Sequence, residues 1–308
     1  MDLSTLVKMS NTYGSNPAYV LAGGGNTSVK DDTTLYVKGS GTQLATIKAE
    51  EFVKMDRARL NKIMKTEYPA DDVKRESAYL ADVMAAVTDE DKTKRPSVEA
   101  LLHNLFAYTY VLHVHPTLIN GLTCGKGAKA LSEQLLGKDV LWIDICKPGY
   151  TLARICFEKM NAYKEETGKD VQVLLLQNHG IFVAADTVEE IGVLFDSVIE
   201  KLEKQGIQVK VSDVSDALSL PRPGVTRTVK DMEAKGYVKK FASAEDGRVT
   251  YLTVTEAGKA LSEKYNKQYF TILSGYVDSI PDEDILCTIR TMEKFYKIMC
   301  ERRIDLDK

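Results

Sequence analysis

Tyr110-Val111-Leu112-His113-Val114-His115 is the stretch on which the reading of this chain turns. Its apolar and β-branched residues make a short buried strand, and alternate strand residues point to one face, so both imidazoles project together. Burying two polar rings side by side requires a compensating partner. A zinc ion supplies one, because it accepts neutral imidazole nitrogens at about 2.0–2.1 Å and a catalytic site takes three protein ligands with one position open. His179, in Gln177-Asn178-His179-Gly180 at the end of the next core run, residues 171–176, is the natural third ligand. Spacing alone does not bring His179 to the pair, and histidines satisfied by ordinary hydrogen bonds are the alternative.

Helical patterns flank these runs at residues 98–107 and 187–204. Upstream, residues 27–30 and 35–38 read as short strands around the turn residues Asp31 and Asp32, and residues 50–65 carry apolar side chains near helical spacing. Strands alternating with helices predict an α/β domain. Arg95-Pro96-Ser97 reads as the start of the 98–107 helix, which puts Glu99 in its first turn, where the helix dipole favours a carboxylate. His103, four residues on, reads as a packing residue or a support of the ligands rather than a fourth ligand. Gly23-Gly24-Gly25-Asn26-Thr27-Ser28 and Lys38-Gly39-Ser40-Gly41-Thr42 are small-residue turns able to bring backbone amides and hydroxyls to phosphate oxygens. Neither is a Walker or dinucleotide fingerprint. Gln205-Gly206 gives a helix stop after which the pattern changes, so domains are expected at 1–205 and 206–308.

The length of 308 residues suits two such domains. Forty-one Lys and Arg against 44 Asp and Glu leave a net charge of −3, which argues against one dominating basic surface. The five cysteines, Cys124, Cys146, Cys156, Cys287 and Cys300, are odd in number and form no Cys-x-x-Cys, so neither a disulfide framework nor a thiolate zinc site is expected. Residues 1–13 lack a leader pattern and no run approaches about 18 apolar residues, which predicts a cytoplasmic protein with no membrane partner.

Taken in order, Gly25-Asn26-Thr27-Ser28, Ser40-Gly41, Pro96-Ser97-Val98-Glu99 with His103, His113-Val114-His115-Pro116, Pro148-Gly149 and Asn178-His179-Gly180 resemble the class II aldolase/adducin-head family over about residues 1–204, closest to its sugar-phosphate aldolases. The resemblance implies a three-layer α/β/α domain, a homotetramer with the site at the subunit interface, and zinc held by His113, His115 and His179. It implies Glu99 as the acid/base, with Gly23, Asn26, Ser40, Gly41 and Ser97 around a substrate phosphate. The implied reaction cleaves a ketose 1-phosphate to dihydroxyacetone phosphate and an aldehyde. Two departures stand out: Ser97-Val98 occupies the place of two serines in fuculose-phosphate aldolase-type members, and Trp142-Ile143-Asp144-Ile145-Cys146-Lys147-Pro148-Gly149 lacks a tyrosine before its Pro-Gly pair. Asp144 or a residue of a neighbouring subunit is left as the substitute proton donor.

Residues 207–308 read as a short helix at 211–217, a turn at Leu220-Pro221-Arg222-Pro223, a second helix at 224–235, and a hairpin of 239–241 with 249–254. That is the pattern of a winged helix-turn-helix. Val225-Thr226-Arg227, Lys235-Gly236-Tyr237-Val238, Glu245-Asp246-Gly247-Arg248 and Leu252-Thr253-Val254-Thr255-Glu256-Ala257-Gly258 resemble the MarR regulators, which implies a DNA partner. Between residues 220 and 240 the cations Arg222, Arg227, Lys230, Lys235, Lys239 and Lys240 outnumber Asp231 and Glu233. Arg227 is the candidate for a base edge, and Lys239, Lys240 and Arg248 for the phosphate backbone, with Arg222 and Lys230 on the same basic segment. Two classes of function follow: a zinc lyase with a DNA-binding appendage, or a sugar-phosphate-responsive regulator whose aldolase domain is non-catalytic. A ketopentose-phosphate 4-epimerase is a further enzymatic reading.

Overall fold

The computed structural model of the chain describes residues 2–20, 23–91, 93–125, 127–205, 209–210, 214–215, 221–242 and 250–277, with scattered positions between 280 and 295. Its strands begin with β1 (Asn26–Lys30), β2 (Thr34–Lys38), β3 (Phe52–Asp56), β4 (Tyr110–Val114), β5 (Val140–Ile143), β6 (Val173–Leu176) and β7 (Gly180–Ala185). These form one seven-stranded sheet in the order β3-β2-β1-β4-β7-β6-β5, antiparallel except for the β5–β6 pair. The helices are α1 (Ser4–Gly14), α2 (Arg57–Ile63), α3 (Asp72–Ala85), α4 (Ala100–Leu105), α5 (Thr117–Thr123), α6 (Ala128–Leu136), α7 (Tyr150–Thr167) and α8 (Val188–Gln205).

Strand parity sorts the core into two layers. Val111, Leu174, Leu176, Phe182 and Ala184 pack with α2, α3, α4 and α7, whereas Leu112, Val114, Leu175, Ile181 and Val183 pack with α1, α5, α6 and α8. The result is the expected three-layer α/β/α domain.

The expected single helix over 50–65 is instead β3 followed by α2. Val53 and Met55 pair with Val37 and Leu35 of β2, and the Asp56 side chain accepts a hydrogen bond from Arg59 N at the start of α2. Apolar residues at 52, 53, 55, 60 and 63 fit either periodicity, and the cap at Asp56 decides. The 98–107 helix is likewise shorter, so Glu99 occupies the N-cap position rather than the first turn. Gly180–Ala185, which the sequence reading left unassigned, forms the central strand β7.

Downstream, β8 (Val209–Lys210), α9 (Arg222–Ala234), β9 (Val238–Ala242) and β10 (Thr250–Val254) give a helix followed by a hairpin, with the sheet order β8-β10-β9. Val225, Val229 and Val238 form a small core with Val214 and Leu252. The proposed wing turn with Arg248, and most of the expected 211–217 helix, lie outside the described residues. The chain divides into two compact units, Met1–Thr255 and Glu256–Lys308, the second containing α10 (Glu256–Val277). Among the described residues no helix is long and apolar enough to cross a membrane.

Every residue of β1 is buried, although four of the five are polar. Thr27 faces α1, where its hydroxyl meets Ser10 Oγ at 2.7 Å. On the other face Lys30 donates to the His103 carbonyl at 2.9 Å. Burial, followed by the charge of Arg57, pushes this ammonium from its ordinary 10.5 down to about 7. Below about pH 7 Lys30 is charged in both folded and unfolded chains and its burial destabilises the fold. Between about 7 and 10.5 only the unfolded chain holds the proton, so stability should rise with pH. Urea unfolding of wild type and Lys30→Met across that window is expected to show a steeper rise for wild type; parallel curves would remove Lys30 as the cause.

Glycine is required at 180, where a Cβ would lie 2.6 Å from both His115 Cδ2 and the Val114 carbonyl oxygen. Gly180→Ala is expected to destabilise the fold by about 1–3 kcal/mol, read as a lower denaturation midpoint. An unchanged midpoint would show that the turn yields without strain.

Candidate metal centre and active site

Three imidazoles converge at the end of the sheet. His113 and His115 come from β4 and its exit, on the face that carries Val111, while His179 comes from the tight turn between β6 and β7. That turn passes through Asn178 in the left-handed region at φ 57°, a conformation Asn tolerates better than most residues. One ligand atom from each histidine lies within 4.8 Å of the others. His113 Nδ1 is 2.9 Å from the Ile181 carbonyl; a carbonyl only accepts, so Nδ1 carries the proton and Nε2 presents a bare lone pair. Phe182 stacks on the His113 ring at a centroid separation of 4.0 Å, fixing its plane. His113 Nε2 and His115 Nε2 are 2.8 Å apart.

Burial and mutual repulsion keep these rings neutral. His113 is held well below its ordinary value by burial, then by His115 and His179; burial, with His179, holds His115 down to about 4; and burial lowers His179. Neutral rings are what metal ligation requires. The donor set therefore fits a divalent cation, and the fit extends to Glu99, whose buried Oε1 makes no hydrogen bond although it lies 3.2 Å from His179 Nε2. Its Oε2 lies 3.2 Å from His113 Nε2. Burial raises the Glu99 carboxyl to about 7 against the opposing effects of the Asn26 hydrogen bond and the Lys38 charge.

The residues expected around a phosphate are brought partly together. Ser40 N donates to the Arg95 carbonyl and Ser97 N to the Lys38 carbonyl, so the 38–41 turn and the 95–97 segment run side by side. Ser97 Oγ accepts from Glu99 N at 3.3 Å. Ser40 and Gly41 are exposed, and Gly41 has φ 85°, which favours glycine. Gly23 is exposed, and a Cβ there would meet nothing within 4 Å. Asn26 is committed elsewhere: its Nδ2 donates to Glu99 Oε2 at 2.7 Å, and its Oδ1 is bonded by His103 Nε2.

The sequence reading missed Lys38. This buried cation is pushed down by burial but held up by Glu51 and Glu99. Its signal was a lysine closing a strand immediately before Gly39-Ser40-Gly41.

A cavity of about 280 Å³ opens beside His179, lined by Asp144, Cys146, Leu152 and Leu176 among others. Asp144, considered above as a replacement proton donor, is bound by Trp142 Nε1 at 3.0 Å and Lys159 Nζ at 3.1 Å. The Lys159 hydrogen bond leads the effects that lower its pKa, so it faces the cavity as an ionised acceptor. The Pro148-Gly149 turn is explained by Glu76, whose carboxylate accepts from Tyr150 N at 3.2 Å and would meet a Cβ on Gly149 at 2.5 Å. In the downstream segment, Arg222, Arg227 and Lys230 all lie on α9 and are exposed.

Comparison with known proteins identifies the family of the fold. Residues 5–203 match the family described as Class II Aldolase and Adducin N-terminal domain, and residues 198–249 match the MarR family. A Bacillus subtilis (strain 168) protein named "Uncharacterized oxidoreductase YuxG" is 29% identical over 208 residues, 65% of this chain and 29% of that protein; the chain thus spans under a third of that relative's length. The solved N-terminal class II aldolase domain of a conserved protein from Thermoplasma acidophilum is 27% identical, with a TM-score of 0.56, covering 66% of this chain and 93% of that one. A DNA complex of MepR from S. aureus aligns with 32% of this chain and 69% of its own at 18% identity and a TM-score of 0.28. The chain belongs to the class II aldolase and adducin N-terminal domain family and carries a MarR-like winged helix after that domain.

Proposed function

We propose that the chain is a zinc-dependent lyase that cleaves a ketose 1-phosphate to dihydroxyacetone phosphate and an aldehyde, and that the functional boundary lies near residue 205. The observation that carries the reading is the convergence of three neutral imidazole nitrogens within 4.8 Å, with the Glu99 carboxylate 3.2 Å from two of the rings. A purely structural fold has no use for that arrangement. His113, His115 and His179 would hold the ion; nitrogen donors favour zinc over magnesium or calcium, which take oxygen ligands. When bound, the ion supplies Lewis-acid polarisation of the substrate's carbonyl and hydroxyl oxygens.

The chain's own residues do the rest. Glu99, raised to about 7 by burial, is poised both to take the hydroxyl proton at C4 and to return one to C3 as the C3–C4 bond breaks, which balances the reaction. Lys38, Ser40, Gly41 and Ser97 offer a cation, hydroxyls and backbone at the side where a phosphate would sit. The cavity holding Asp144 accommodates the other end of the sugar. The exposed cations of α9 support a second reading for the winged helix, binding to a two-half-site DNA operator.

About one zinc per chain is expected on metal analysis, with His115→Ala losing it; full occupancy in that variant would reject the ligand assignment. Glu99→Gln is expected to retain zinc and fold while losing most turnover on a panel of ketose 1-phosphates with product identification. Near-normal turnover would move the proton transfer elsewhere, and an epimerised product in place of cleavage would favour the epimerase. For DNA, Arg227→Ala is expected to lose about 1–3 kcal/mol of discrimination between operator and random duplex, and wild-type binding should weaken steeply with salt. Anisotropy titrations against the chain's own upstream region at two salt concentrations test both, and equal affinity for random duplex would leave the lyase reading alone.

A further inference from the structure

The face of β1 that looks toward α4 carries a buried polar chain that the proposed reaction does not by itself explain. Ser28 Oγ lies 2.7 Å from His103 Nδ1, His103 Nε2 bonds Asn26 Oδ1, and Asn26 Nδ2 donates to Glu99 Oε2 at 2.7 Å. All four residues are buried, His103 and Ser28 completely. The direction of each bond follows from chemistry. The Asn26 NH2 faces Glu99, which leaves the amide carbonyl, an acceptor only, facing His103. His103 therefore carries its proton on Nε2, and its bare Nδ1 accepts the Ser28 hydroxyl proton. Opposite tautomers are thus built into the two rings that Phe182 contacts: Nε2–H on His103 and Nδ1–H on His113. Burial and the neighbouring Lys30 charge hold His103 down to about 3, and Lys30 also bonds the His103 carbonyl, so the ring stays neutral and its helix end is tied to β1.

We propose that His103 is a positioning residue, acting through Asn26 to aim the Glu99 carboxylate at the His113 and His179 rings. A chain of directed hydrogen bonds fixes orientation more tightly than packing does, because each donor has one acceptor and the low-dielectric interior penalises a broken link. Without His103 Nε2–H, the Asn26 amide is free to turn over, which would present its carbonyl to Glu99 and repel it. The inference rests on the reading of Glu99 as the proton carrier.

The test has two arms. In the full chain labelled with 15N-histidine, the four imidazoles are examined by long-range proton–nitrogen spectra, the His103 signal being assigned by its loss in His103→Gln. The expected result is a neutral Nε2–H tautomer with slow solvent exchange that becomes fast in Asn26→Ala; an Nδ1–H ring, or exchange unchanged by Asn26→Ala, overturns the proposal whether or not any substrate turns over. In the kinetic arm, His103→Leu is expected to lower kcat about 10- to 100-fold with little change in KM or metal content, and His103→Gln, whose amide NH2 replaces Nε2–H, to recover most of that loss. Adding Asn26→Ala to His103→Leu should cost no more. Full kcat in His103→Leu, no recovery in the folded Gln variant, or losses that multiply would each overturn it. Absence of turnover in wild type would instead reject the lyase reading and leave the spectroscopic arm to decide this one.

Discussion

The antiparallel register between β1 and β4 is the constraint on which the site depends. Asn26 lies opposite His113 and Ser28 opposite Val111, so the even residues of β1 and the odd residues of β4 share a face. A slip of β1 by one residue would turn Asn26, Ser28 and Lys30 toward Leu6, Met9 and Phe195, where Ser10, now bonded to Thr27, could not replace the partners they have on α4. The alternation of β4 thus fixes the register: Leu112 and Val114 belong to one core layer and Val111 to the other.

With that register fixed, the interior can hold polar groups that would otherwise destabilise it. Lys30, Ser28, Asn26 and Glu99 are all buried; the first three find partners on α4 or at its cap, and Glu99, the cap itself, is bonded by Asn26. Arg57 reaches the same helix through Asn104 Oδ1 at 2.9 Å. A helix of six residues has little stability of its own. These side-chain bonds, together with buried Leu101 and Leu102, hold it where Glu99 must stand. The local structure here is a consequence of the site's polar network as much as its support.

Much of this was legible in the chain. Two-residue spacing in an apolar run gave β4 and the shared face of its histidines, and the small-residue turns marked strand ends. The nearness of His179 was not legible, because it depends on a turn through Asn178 at φ 57° and on Gly180 accepting the His115 ring against its backbone. Neither leaves a periodic signal. The split of residues 50–65 into β3 and α2 was hidden because period 2 and period 3.6 overlap over so few apolar positions. The Asp56 cap carried the information, and reading it requires weighing a single side chain above the pattern. The commitment of Asn26 to Glu99 and His103 is a contact between residues more than 70 positions apart, beyond any local reading.

Charge balance then bears on the ligand. Lys38 and Glu99 are buried with opposite sign and each feels the other, the three imidazoles are neutral, and Asp144 is already engaged by Lys159. In the proposed lyase, a divalent cation on those imidazoles would add two positive charges that this inner set of side chains does not cancel. Uncompensated charge in a partly buried site is unfavourable, and under that reading a phosphate dianion arriving beside Lys38 would restore the balance. The burial that strips the imidazoles of protons, and so prepares them to ligate, is therefore also what would make the loaded site select for an anion.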